Sequence, residues 1–188
     1  MLNRFALVPG SALNGAAYYW EPSVDGHLLR SLLKLTVDEA SLDTAGLGPV
    51  GENVSVLVHS WPVGMTPDAL VLLGDRPSEL PDGRAAIYVC AQCGDIGCGA
   101  ISAVIERTAT TVVWRDFRWD DGLQYEEHDN TAITGGPFVF DPEEYDAELR
   151  RFIETFTSVR NSLPFGVITR TADTPSHRRT RRWPWSSQ

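Results

Sequence analysis

Three apolar-rich stretches joined by tight turns, between Arg84 and Trp119, constrain this chain more than any other feature. RAAIYVCA (84–91) and CGAISAVIER (98–107) read as two strands joined through Gln92–Gly97, and TTVVWRDFRW (110–119) reads as a third. Short strands joined by tight turns pair antiparallel, because a parallel pair needs a crossover of a dozen or more residues. An antiparallel meander is therefore expected, with a hairpin tip at 92–97. Trp114 and Phe117 stand at opposite parity in the third strand. Side chains alternate faces along a strand, so either both faces are covered or a bulge re-aims one of them.

The flanks supply the other layers. Residues 1–20 are apolar and turn-rich, with a strand expected over Ala16–Trp20. Asp25-Gly26 is a turn signal. HLLRSLLKL (27–35) places Leu28, Leu32 and Leu35 at helical spacing, and 38–52 reads as a loop. Val54, Val56 and Val58 alternate with Ser55, Leu57 and His59, giving a strand that ends at Trp61-Pro62. Thr66-Pro67 resembles an N-cap followed by Pro at N1, with Gly74 as the stop, although Ala69–Leu73 is short enough for a strand. Phe138–Phe140 is a short strand or lead-in. Asp141-Pro142-Glu143-Glu144 then opens a helix carrying Tyr145, Leu149, Phe152, Ile153 and Phe156 in one stripe, ending near Asn161. Val167–Thr169 is a candidate edge strand.

The expected fold is α+β: an antiparallel β-meander sheet with helices packed on one face, in a single domain over 1–169. The 188 residues are enough for one such domain, and six Trp, seven Phe and five Tyr require a core. The net charge of −9 hides an asymmetry. Residues 170–188 hold Arg170, Arg178, Arg179, Arg181 and Arg182 against one acid, Asp173, and read as a flexible basic C-terminal tail. Truncation after Thr169 is expected to leave stability nearly unchanged. The acidic body excludes a globally basic nucleic-acid binder; nucleic acid is expected only through the tail. No run approaches the roughly 18–20 apolar residues of a membrane span, and Phe5–Val8 is too short for a signal-peptide core. A cytoplasmic protein is expected.

Chemistry concentrates in Cys90-Ala-Gln-Cys93-Gly-Asp-Ile-Gly-Cys98-Gly. All three cysteines of the chain lie within this turn. A CxxCG turn at a hairpin tip has the geometry of a zinc knuckle, in which thiolates converge on one ion. Zinc takes four ligands in a structural site, or three and water in a catalytic one, so His59, His128, Asp95 or water would complete the set. A dithiol is the second reading, although thioredoxin-type CxxC sits at a helix N-terminus and this one sits between strands. In the third reading the cysteines are small hydrophobes in a tight turn. The glycines do not form a phosphate loop, since the GxxxxGK[ST] spacing is missing.

Weaker candidates lie around it. Asp116, Asp120, Asp121, Glu126, Glu127 and Asp129, with His128, carry acid–base or metal-ligand chemistry. They match no calcium-loop spacing and read as a solvated hairpin end, or as a patch for a basic partner protein. Arg115 and Arg118 alternate with Trp114, Phe117 and Trp119, a pattern able to line a cleft or stack single-stranded bases, which the acidic body disfavours. No GxSxG, HExxH or dinucleotide fingerprint occurs, and no third group makes a triad of His59 and Ser60.

The central segment resembles a set of uncharacterised bacterial proteins from GC-rich genomes. The shared pattern is a strand into CxxCGDxGCGA (Cys90–Ala100), then a V-x-W-x-x-F strand (Val112–Phe117), then F-x-F-D-x-x-x-Y opening a helix (Phe138–Tyr145). The resemblance covers roughly a third of the chain and implies no activity. A non-catalytic binding or regulatory module with a cysteine-rich turn, with or without zinc, is expected. The alternative is a thiol- or zinc-dependent enzyme using Cys90, Cys93 and Cys98.

Overall fold

The computed structural model describes residues 1–12, 17–35, 53–59, 66–80, 82–120 and 132–163. The expectations for 38–52, Trp61-Pro62, the acidic residues 121–129, the strand 167–169 and the tail lie outside these residues.

The three central stretches form the expected meander. β5 (Arg84–Cys90), β6 (Ala100–Arg107) and β7 (Val112–Asp120) pair antiparallel in sequence. β4 (Asn53–Ser55) extends the sheet beside β5, and β8 (Phe138–Phe140) extends it beside β7. A bulge resolves the parity of Trp114 and Phe117. The register shifts between Ser102 and Val104 of β6, and Asp116 adopts a φ of 53°. That extra residue turns both aromatics inward, and both are buried.

A second, three-stranded antiparallel sheet holds β1 (Phe5–Ala12), β2 (Ala17–Val24) and β3 (His27–Leu28). β1 is not foreshadowed by composition, because Pro9 and Gly10 imitate a turn. Pro9 is tolerated here because β1 is an edge strand. The free edge of β1 is met by α3 (Pro142–Ser162). Leu7 N–H donates to Glu148 Oε2 at 2.9 Å, and Arg151 Nη2 donates to Leu7 C=O at 3.1 Å. The expected helix over 27–35 is shorter. Asp25 and Gly26, with φ of 52° and 82°, make a two-residue hairpin turn that draws His27 and Leu28 into the ladder. α1 (Leu29–Leu32) then makes one turn, and Lys34 at φ 54° stops it.

α2 (Thr66–Leu73) and α3 are helical as expected. Asp141 caps α3, its Oδ1 accepting from Glu143 and Glu144 N–H at 2.9 and 3.1 Å. Tyr145 joins the layers: its hydroxyl donates to Leu72 C=O at 3.0 Å and accepts from Trp114 Nε1 at 3.2 Å. Phe5, Trp114, Phe140 and Tyr145 pack around this point, Phe140 stacked on Tyr145 and the other pairs edge to face or tilted. Both sheets and both longer helices thus share one apolar core, in one α+β domain.

Candidate metal centre

The cysteine turn is built by local hydrogen bonds. β5 ends at Cys90, whose C=O accepts from Gly94 N–H at 2.9 Å. Gly94 takes a φ of 68°, which glycine adopts without a Cβ clash. Asp95 then caps a short 3-10 turn, Ile96–Cys98, its Oδ1 accepting from Gly97 N–H at 2.8 Å. Gly99 leaves the turn at φ 101°. The Trp119 ring lies directly over it: a Cβ on Gly99 would stand 2.0 Å from Trp119 Cζ2. The ring of β7 thereby sets the angle at which the chain enters β6.

This path gathers the sulfurs. The Sγ atoms of Cys90, Cys93 and Cys98 all lie within 4.8 Å of one another, and Cys93 and Cys98 approach to 3.3 Å. Cys93 and Cys98 are exposed and Cys90 is half-buried. In a tetrahedral zinc site with Zn–S bonds of about 2.3 Å, neighbouring sulfurs stand roughly 3.8 Å apart. The three thiols fit one face of such a tetrahedron within side-chain adjustment.

The proposed fourth ligands are placed elsewhere or lie outside the described residues. His59 does not join the three sulfurs. Its ring stacks on Phe156 at 5.2 Å between centroids and also contacts Trp20 and Phe152. It is almost wholly buried, its Nε2 has no hydrogen-bond partner among the described residues, and burial pushes its pKa down to about 4. Asp95 is not among the atoms gathered with the sulfurs, and its Oδ1 accepts from Gly97 N–H. His128 lies outside the described residues.

A cleft of about 300 Å³ runs beside the turn, between α2, the segment 76–79 and β5. Gly94, Asp95 and Ile96 form one wall; the three cysteines do not line it. Its floor includes Val56, Val71 and Val89, and its polar groups include Asp68, Arg76 and Glu79. Burial, with the nearby Glu79 charge, raises the Asp68 pKa to about 6. Nothing in the sequence marked Asp68, which sits in the first turn of α2 as an ordinary acidic residue does.

The acidic and arginine candidates separate into different roles. Asp116 is exposed at the bulge, ion-paired to Arg115, which also reaches Glu106 at 2.5 Å. Asp120 points inward. Its Oδ2 accepts from Ser102 Oγ at 3.1 Å and from Arg118 Nε at 3.2 Å. Arg84 completes this network, buried, with Nε donating to Ser102 Oγ at 2.9 Å and Nη2 to the Ser102 and Asp116 carbonyls. Burial, and next the neighbouring Arg118 charge, push the Arg84 pKa down to about 10, so it stays charged at neutral pH.

A second buried network also escaped the sequence reading. Glu21 accepts from Arg30 Nε at 3.1 Å, from Arg30 Nη2 at 2.8 Å and from the Tyr88 hydroxyl at 2.5 Å. Arg30 lies over the Tyr19 and Tyr88 rings. These groups satisfy one another.

Among the described residues, no helix is long and apolar enough to cross a membrane. Compared with known protein families, curated proteins and solved structures, the chain matches none.

Proposed function

We propose that the chain is a non-catalytic binding module that holds zinc on its cysteine turn and meets a protein partner through its acidic body. The observation that carries this reading is the convergence of three sulfurs within 4.8 Å at one hairpin tip. Thiolates favour zinc over magnesium or calcium, which take oxygen ligands. With Cys93 and Cys98 exposed, the fourth coordination position opens outward. Water, His128 or a side chain of the partner completes it. The ion ties the end of β5 to the start of β6, a structural role. The net charge of −9 favours a partner with a basic surface, and nucleic acid enters only through the Arg-rich 170–188 segment. Free thiols fit a reducing, cytoplasmic compartment.

Metal analysis of protein purified without a His tag tests the reading. Stoichiometric zinc, lost in Cys93→Ser, supports it. Protein that neither carries zinc nor takes it up in equilibrium dialysis overturns it.

A thiol- or zinc-dependent enzyme acting through Cys90, Cys93 and Cys98 is the second reading; the cleft beside the turn holds Asp68 but is lined by none of the three cysteines. The two readings separate in zinc-depleted protein. A structural ion predicts lost amide-exchange protection over 90–100 and loss of partner binding. A catalytic ion predicts an intact hairpin and lost turnover.

A further inference from the structure

We infer that Cys93 and Cys98 are a redox-active dithiol, closing to a disulfide by exchange with a low-molecular-weight disulfide and leaving Cys90 as a thiol. The sequence motif pairs Cys90 with Cys93, as CxxC. The fold pairs differently. Cys93 and Cys98 sulfurs stand 3.3 Å apart, inside the edge length of about 3.8 Å that a zinc tetrahedron sets. A disulfide bond of about 2.05 Å requires roughly 1 Å of further approach between the two sulfurs. Cys93 and Cys98 are both exposed residues, open to a small reagent. Cys90 is half-buried, and its backbone is held in the ladder opposite Asn53. The intervening Gly94 and the 3-10 turn fold the chain back so that residues five apart meet.

The chemistry balances with a disulfide RSSR as oxidant. One cysteine thiolate attacks a sulfur of RSSR, forming a mixed disulfide and expelling RS⁻, which takes a proton. The second cysteine thiolate attacks the cysteine sulfur of that mixed disulfide, forming the Cys93–Cys98 bond and expelling the second RS⁻. Two protein thiols are oxidised and RSSR is reduced to two RSH. Closure removes two of the three sulfurs proposed above as zinc ligands, so oxidation releases the ion. This last consequence alone rests on the zinc reading.

The test uses the full-length chain, reduced, stripped of metal by a chelator and incubated with glutathione disulfide. Intact mass and proteolysis at Asp95, without reductant, are the readouts. The wild type and Cys90→Ser are expected to lose two hydrogens, retain no glutathione, and hold the fragments on either side of Asp95 together. Cys93→Ser and Cys98→Ser are expected to stop at the mixed disulfide. If Cys90→Ser fails to close, or if Cys93→Ser or Cys98→Ser closes as fast as the wild type, the assignment is overturned. A parallel arm with zinc chloride separates the two readings. Bound zinc is expected to slow closure roughly tenfold or more, since the ion holds both sulfurs. Unchanged closure with zinc present overturns the zinc site and leaves the dithiol standing.

Discussion

The Tyr88 hydroxyl donates to Glu21 Oε1 at 2.5 Å, bonding the five-stranded sheet to the three-stranded sheet through two side chains 67 residues apart. Glu21 is buried and already holds Arg30 by two hydrogen bonds. Tyr88→Phe removes one charge-assisted bond and is expected to cost about 1.5–3 kcal/mol. Glu21→Gln leaves Arg30 facing no carboxylate and is expected to cost about 3–5 kcal/mol. Urea unfolding of both variants checks the order; an equal loss would show that the carboxylate charge is worth no more than the single Tyr88 bond.

The same tyrosine sets an alkaline limit. Burial, then the Glu21 charge, raise the Tyr88 pKa well above its ordinary 10. Its folded pKa therefore exceeds its unfolded one. The stabilisation is complete below pH 10 and is lost as the pH rises beyond it, because only the unfolded chain ionises the phenol freely. Tyr145, also raised by burial, acts in the same direction. Unfolding free energies at pH 9 and 11 should fall for the wild type and fall less for Tyr88→Phe.

His59 produces the opposite slope. Burial lowers its folded pKa to about 4, against 6.5 when unfolded. Stability from the neutral ring is complete above pH 6.5 and declines as the pH falls towards 4, by on the order of 2 kcal/mol. His59→Phe preserves the stack on Phe156 and removes both the slope and the orphaned Nε2. The difference in stability between variant and wild type should grow as the pH drops from 7 to 5. A constant difference would place the acid sensitivity elsewhere.

Gly99 is the turn residue with least freedom. Its φ of 101° and the Trp119 ring 2.0 Å from any Cβ leave no room for alanine. Gly99→Ala is expected to cost about 2 kcal/mol or more through displacement of Trp119. It should also weaken zinc uptake without touching a ligand. Trp119→Leu in the same background opens space and should restore part of the affinity. No rescue would show that the backbone angle, rather than the ring, sets the turn.

Much of this was visible along the chain. The meander, the Asp141 cap and the apolar stripe of α3 followed from short-range periodicity, which survives folding because neighbours in sequence share one element. Opposite parity at Trp114 and Phe117 left two outcomes open, two covered faces or a bulge, and the backbone of Asp116 decides for the bulge. β1 stayed hidden because Pro9 and Gly10 imitate a turn inside what is an edge strand, and the side chains that close its outer edge, Glu148 and Arg151, are far along the chain. The convergence of three cysteines was legible from spacing alone. The 3.3 Å approach of Cys93 to Cys98, across the apparent CxxC pairing, depends on the backbone angles of Gly94 and the 3-10 turn. Glu21, Arg30 and Tyr88 were ordinary residues until three separate elements brought them together.

The clasp of Glu148 and Arg151 on Leu7 has a consequence for the order of assembly. The groups that close the outer edge of β1 are encoded 141 and 144 residues later. At synthesis rates of about 5–20 residues per second, that separation corresponds to roughly 7–30 s. Over that interval β1 and β2 can form a hairpin, but one rim of it offers unpaired amides to any passing strand. The protein reaches its protected state only when its last described helix arrives, so its solubility during synthesis depends on how quickly that helix emerges.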